Sequence, residues 1–370
     1  MTNCTKRTGF TLPEFLIALV CVVILLGLFI PFFSRGGYSR EHARRVMCLN
    51  NLRNLALAAI SYESSHQEFP IGVGIEDQNG VLQTNPVSGL VALLPFLEQS
   101  KFYDEISNPL VVGEMEYPAF EAPLTDADYP PWAEGNSIFI CPSAESATSK
   151  FGRTSYAFSV GDVARNVSQQ KVLRGAFGYF KALDSYNVTD GWSNTIGILE
   201  IGGSTVKTVG GGCLVDGKPD WLDNPKQVFT VVNDGRYRSG SKLIDRGSHW
   251  ADGRAGVALA NTILPVNSPS FQVRGSSSDD GIYSAGSKHP GGCNVAFLDG
   301  STHFISDDID VGDATAATLT VEQMADNVPS PHGVWGALGT INGGEDVTYC
   351  LLYTSPSPRD QRGSRMPSSA

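Results

Sequence analysis

From Phe15 to Phe33 the chain carries no charged side chain, and this run constrains the fold more than any other feature. A bilayer core takes about 20 apolar residues at about 1.5 Å of helix rise each, so a helix over residues 10–33 is expected to span a membrane. Glu14 sits at the entrance of the run. An unpaired carboxylate there costs several kcal/mol, so a partner charge is expected for it. Lys6 and Arg7 precede the run, and no small-residue cleavage site follows it between Phe29 and Phe33, so a secretory signal removed after the apolar stretch is not the reading.

Beyond the run, Val46, Leu49, Leu52, Leu55, Ala56, Ala59 and Ile60 recur at spacings of three and four. That periodicity predicts an amphipathic helix over 34–66, with Gly36-Gly37 at most kinking it out of the apolar helix. Residues 89–99 predict a short buried helix bent at Pro95, and the Pro- and acid-rich residues 108–136 a surface loop. The remainder reads as β structure. Short apolar runs at 138–140, 155–158, 195–199, 228–232, 256–259, 295–298 and 302–305 are bounded by Gly, Asn, Asp or Pro, and Asp299-Gly300 between the last two is a hairpin signal. The expected class is α+β, one long N-terminal helix carrying a mainly antiparallel, β-rich head over 67–348.

The formal net charge is −11, which argues against a nucleic-acid partner, because phosphate contacts need clustered Lys and Arg. Of seven cysteines, Cys48, Cys141, Cys213 and Cys293 lie in the body of the chain. Four cysteines allow three complete pairings among which sequence does not choose; Cys48 with Cys141 is the pairing we carry forward. No CxxC is present and the histidines lack zinc-ligand spacing, so a structural zinc site is not expected.

His289 and Asp299 invite a base-and-orienter reading, but no Gly-x-Ser-x-Gly nucleophile accompanies them. Pro290-Gly291-Gly292 and Asp299-Gly300 are turn chemistry. Asp190 and Asn194 are candidates for metal ligation or for closing a polar turn, with the turn preferred. Asp307, Asp308 and Asp310 offer hard oxygen ligands suited to Ca²⁺ without the EF-hand pattern, and a solvated acidic face is the default. The five tryptophans do not select a ligand groove over core packing.

Two resemblances cover most of the chain. Arg7-Thr8-Gly9-Phe10-Thr11-Leu12 followed by Glu14 resembles a type IV prepilin signal. That resemblance implies cleavage by prepilin peptidase between Gly9 and Phe10, methylation of the new amine, and a Glu14 that pairs with the Phe10 amine of a neighbouring subunit. Pro13 and Phe15 depart from the usual residues; proline is tolerated in a first helical turn, where its missing N–H is an orphan. In the body, Cys48-Leu49-Asn50-Asn51-Leu52, Leu94-Pro95-Phe96-Leu97-Glu98-Gln99, Ile140-Cys141-Pro142-Ser143, Thr189-Asp190-Gly191-Trp192-Ser193-Asn194-Thr195, Glu200, His289 with Asp299-Gly300, and Asn342-Gly343-Gly344-Glu345 occur in an order that resembles the planctomycete-type prepilin-like proteins with a His-x9-Asp-Gly domain of unassigned function. Residues 349–370 resemble translated adapter DNA and are excluded from the fold.

Together these resemblances imply a leader over 1–9 and a single-pass inner-membrane, pseudopilin-like subunit of a type II secretion or type IV pilus-like assembly. Its head would lie on the extracytoplasmic side, and its partners would be prepilin peptidase, other pilin-like subunits and lipid. No enzymatic activity and no cofactor is expected, Ca²⁺ being the one weak candidate. The alternative is a tethered exoenzyme or a carbohydrate- or calcium-binding head that uses the prepilin segment only for targeting.

Overall fold

The computed structural model describes residues 11–34, 36–77, 80–144, 149–202 and 205–345, with the side chains of 27–40 left aside. Gly9, Phe10, the leader and the tail from 346 onward lie outside the described residues. The chain divides into two compact units, Met1–Val46 and Met47–Ala370.

In the first unit, helix α1 runs from Leu12 to Ser34. Thr11 sits just before it, and its N–H and Oγ1 both donate to Glu14 Oε2 at 2.8 Å. A glutamate in the third helical position is where a side chain reaches back to a helix-start N–H, and Pro13 beside it forfeits no helical hydrogen bond. The large apolar side chains between Leu12 and Leu26 are all exposed, from 49% at Leu19 to 78% at Leu12. Among the described residues no helix is long and apolar enough to cross a membrane.

Helix α2, Gly36–His66, crosses into the second unit. There Cys48, Leu52, Leu55, Ala56 and Ala59 are buried while Arg53 and Asn54 face solvent. The predicted apolar face therefore enters the core from residue 48 onward; Val46 remains 45% exposed.

The second unit is α+β, with mainly antiparallel sheets. Its two larger sheets use nine strands: β1 Tyr156–Ser159, β2 Ile196–Glu200, β3 Gly212–Gly217, β4 Leu243–Asp245, β5 Leu259–Ala260, β6 Ser270–Val273, β7 Gly281–Ile282, β8 Gly292–Phe297 and β9 Thr302–Ser306. The first sheet has the order β5-β1-β2-β8-β9, antiparallel except for β5 beside β1. The second has the order β4-β3-β6-β7, antiparallel except for β3 beside β6. The first sheet is covered on both faces. Tyr156, Phe158, Ile198 and Ala296 join the core that includes Leu52, Leu55 and Ala59 of α2, whereas Ala157, Leu199, Cys293, Val295 and Phe297 join a second core around Trp335 and Leu338. Strand alternation delivers both sets from the same strands.

Several expected elements differ. Residues 228–232 lie largely in a 3₁₀ helix, Pro225–Val231, because Pro225 opens a turn and Val228 and Val231, three residues apart, both turn inward on it. Gly256–Leu259 is mostly a short helix, Ala255–Ala258, and Ser137–Phe139 a 3₁₀ turn whose start is capped by Asn136. Residues 108–136 are no loose loop. Tyr117, Phe120, Tyr129 and Trp132 are buried, with Tyr129 4.9 Å from Trp132 ring to ring. Four strands, β3, β4, β6 and β7, lie in Gly- and Ser-rich sequence where the apolar runs are too short to mark them, and of the four only β6, Ser-Phe-Gln-Val, alternates. The helix bent at Pro95 is present as Leu90–Leu93 followed by a 3₁₀ turn, Leu94–Leu97.

Candidate functional site

The sheet face toward α2 carries Tyr156, Phe158, Ile198 and Ala296, and a carboxylate where β2 ends. Glu200, the last residue of β2, is 1% exposed, and a carboxylate so placed must be saturated with donors. Asn294 on the neighbouring strand supplies two: its backbone N–H donates to Oε2 at 2.8 Å and its Nδ2 to Oε1 at 3.0 Å. Glu200 also lies across the ladder from Tyr156, whose hydroxyl reaches the Cys48 carbonyl at 3.5 Å. The phenol is thus held between sheet and helix.

His289 enters from the turn before β8. It is 2% exposed, its N–H donates to Ser287 Oγ at 3.2 Å, and its Nε2 lies 3.5 Å from Glu200 Oε1 and 3.4 Å from Cys141 Sγ. Cys141 follows the 3₁₀ turn Ser137–Phe139 and is disulfide-bonded to Cys48 of α2 across 93 residues, with Cα atoms 5.1 Å apart. One ligand atom from each of Cys48, Cys141, Glu200 and His289 lies within 4.8 Å of the other three. Beside them is a cavity of about 10 Å³ lined by Cys141, Glu200, Gly202 and Ser287 among others, roughly the room of one water. Four positions spread over 240 residues of sequence thus meet at one buried point.

His289 and Asp299, for which turn chemistry is the preferred reading over a base and its orienter, do not meet. β8 separates the two, placing about 20 Å of strand between them, so His289 is buried at one end and Asp299 is exposed at the other. Asp299 Oδ1 instead accepts from Ser301 N at 2.8 Å and Ser301 Oγ at 2.6 Å, closing the β8–β9 turn. Gly300 in that turn has φ +82°, and a Cβ there would stand 3.2 Å from Ile60 and 3.4 Å from Leu57 of α2.

Asp190 and Asn194 also close turns. Asp190 Oδ2 accepts from Gly343 N at 2.7 Å and Oδ1 from Gly344 N at 3.0 Å, while Asn194 Nδ2 donates to the Asp190 carbonyl at 2.9 Å. One carboxylate therefore fastens the chain near residue 190 to the glycine pair 150 residues later.

The proposed calcium ligands do not converge. Among the described residues Asp307, Asp308 and Asp310 form no cluster of three ligand atoms. Asp307 accepts from Asn267 Nδ2 at 2.7 Å and so ties its turn to a segment 40 residues earlier, while Asp310 accepts from Gly312 N at 2.8 Å within its own loop. Burial, opposed by the Asn267 hydrogen bond, raises the Asp307 pKa. Trp132, Trp250 and Trp335 are fully buried and Trp221 nearly so, which leaves them core residues rather than groove walls.

Sequence reasoning missed two buried cations. Arg174 pairs with Asp162 at 2.6 Å, both essentially inaccessible, and Arg246 donates to Ser270 Oγ at 3.1 Å and to the Ser284 and Leu259 carbonyls. Beside Arg246 the free thiol of Cys213 is pushed up to about 12 by burial. Neither arginine belongs to a motif, and only tertiary burial marks them.

Residues 38–312 match the family described as "Protein of unknown function (DUF1559)". The chain belongs to that family. No curated protein and no solved structure matches it. The matched span of this DUF1559 chain contains Cys48, Cys141, Glu200 and His289, whereas α1 and the glycine pair Gly343-Gly344 lie outside it.

Proposed function

We propose that this DUF1559 chain is a pseudopilin-like structural subunit, anchored through its N-terminal apolar helix and presenting the α+β unit outside the cytoplasmic membrane. The observation that carries the reading is the described part of α1: large apolar side chains exposed around the helix, with Glu14 the single charge at its start. A helix apolar on every side is stable only against lipid or other helices, and a carboxylate at its rim favours a cationic partner. In the isolated chain Glu14 is occupied by Thr11. Assembly would exchange those two hydrogen bonds for the amine of a neighbouring, cleaved subunit.

Mass spectrometry of the protein from native membranes tests processing. The expected species begins at methylated Phe10, and a chain beginning at Met1 in cells with active prepilin peptidase overturns it. Glu14→Leu tests assembly: recruitment into a multi-subunit complex, read by crosslinking and co-purification, is expected to be lost while membrane association persists. Unchanged recruitment would leave only a tethered head.

A further inference from the structure

The buried Cys48–Cys141 disulfide has neighbours that a purely structural crosslink does not need. An imidazole nitrogen and a carboxylate oxygen lie against it, both nearly inaccessible, and the carboxylate is oriented by two donors from Asn294. We propose that reduction of this disulfide converts the cluster into a tetrahedral site for a zinc-class divalent metal, with Cys48 Sγ, Cys141 Sγ, His289 Nε2 and Glu200 Oε1 as ligands.

The distances support the assignment. A tetrahedron with metal–sulfur bonds of about 2.3 Å and metal–nitrogen or –oxygen bonds of about 2.0–2.1 Å has edges of about 3.3–3.8 Å. The Cys141 Sγ to His289 Nε2 distance of 3.4 Å and the His289 Nε2 to Glu200 Oε1 distance of 3.5 Å already fall in that range. Breaking the S–S bond frees the two sulfurs to part toward the longest edge. Two sulfurs and an imidazole select zinc-like metals over Ca²⁺ and Mg²⁺, which prefer oxygen ligands throughout. Asn294 acts as the outer shell that fixes the carboxylate.

The chemistry balances with a dithiol as reductant. The dithiol gives two electrons and two protons to the S–S bond and leaves as its own disulfide, and Cys48 and Cys141 become thiols. Metal capture then displaces both thiol protons to water. Two thiolates and one carboxylate against a dication leave the site with one net negative charge. The metal would tie α2 to the turn after Ser137–Phe139, as the disulfide does, and also to β2 and the turn before β8. One fastening replaces another, and α2 stays docked in the reduced protein. The proposal stands independently of the assembly reading.

The test is a Co²⁺ titration of the full chain in detergent, reduced with a phosphine and kept anaerobic. One equivalent is expected to produce the visible bands of a tetrahedral centre together with sulfur-to-cobalt charge-transfer bands, and Zn²⁺ to abolish them; the oxidised chain is expected to produce neither. Glu200→Gln, which keeps a side-chain oxygen for Asn294, and His289→Ala are each expected to weaken Co²⁺ binding by at least the about 10–100-fold seen for loss of an outer-shell partner. X-ray absorption at the zinc edge of the unmutated protein is expected to show two sulfur and two nitrogen or oxygen neighbours, a readout that requires no variant to fold. A reduced chain that takes up no cobalt, whether folded or not, overturns the proposal. So does a zinc shell lacking nitrogen and oxygen.

Discussion

His249 shows how burial alone makes a residue pH-sensitive. Its ring is 3% exposed, stacked 4.3 Å from Phe151 and edge-on to Trp132, and its Nδ1 accepts the Ala251 N–H at 3.1 Å, which requires that nitrogen to be unprotonated. Burial pushes its pKa down to about 4, with Asp252 opposing and Arg254 reinforcing the shift. The unfolded chain has a histidine near 6.5, so between pH about 6.5 and about 4 it binds a proton that the folded chain refuses. Stability from this group is therefore complete above about 6.5 and lost progressively on acidification, up to about 3 kcal/mol. Urea titrations across that interval are expected to show a shallower fall in His249→Phe than in the parent chain. An equal fall in the two proteins would refute the assignment of the pH dependence to this ring. None of this was visible in the sequence, where His249, one of six histidines, belongs to no motif; its neighbours Trp132 and Phe151 are about 100 residues away along the chain.

The β8–β9 hairpin was legible at the scale of the element, and its purpose was not. Short apolar runs on either side of Asp-Gly identify a tight turn, and the register Gly292 to Ser306 through Ala296 to Thr302 follows. Only packing shows that the turn is seated on α2. Gly300→Ala must adopt a left-handed backbone, which costs about 1–2 kcal/mol, and its methyl must also be accepted by Ile60 and Leu57. Gly291 has the same φ of +82° with nothing within 4 Å of a Cβ, so Gly291→Asn, a residue that tolerates this conformation, is the matched control. Urea midpoints are expected to fall for the first and to stay near the parent value for the second, with unchanged m-values. A fall of the same size in both would remove α2 packing from the account.

At the scale of the whole molecule, the crosslink that matters most closes a long loop. Cys48 and Cys141 are 93 residues apart, and constraining such a loop in the unfolded state is worth about 4–5 kcal/mol on the chain-entropy account. The Cys48→Ser, Cys141→Ser double variant is expected to melt at clearly lower temperature than the oxidised parent in metal-free buffer. Near-identical melting would mean that α2 is held by Leu52, Leu55 and Ala59 alone. Calorimetry decides between them, and added Zn²⁺ is expected to restore stability to the reduced parent and not to the double variant. The division of the chain near residue 46 places the outer part of α2 with the head. It does so because burial begins at Cys48, two residues after an exposed Val46.

Sequence by itself determined the elements whose signal is local. The apolar N-terminal helix, the amphipathic periodicity of α2, the short helix broken at Pro95, the Asp-Gly hairpin and the α+β class each rest on residues within a few positions of one another. Tertiary structure decided everything that depends on distant segments meeting. It assigned His289 to Glu200 and the cysteines rather than to Asp299, put Asp190 on Gly343 and Gly344, and made strands of Gly- and Ser-rich segments that pair only because a neighbour presents its edge. Periodicity records which way a side chain faces, and it carries no information about which other segment will be waiting there.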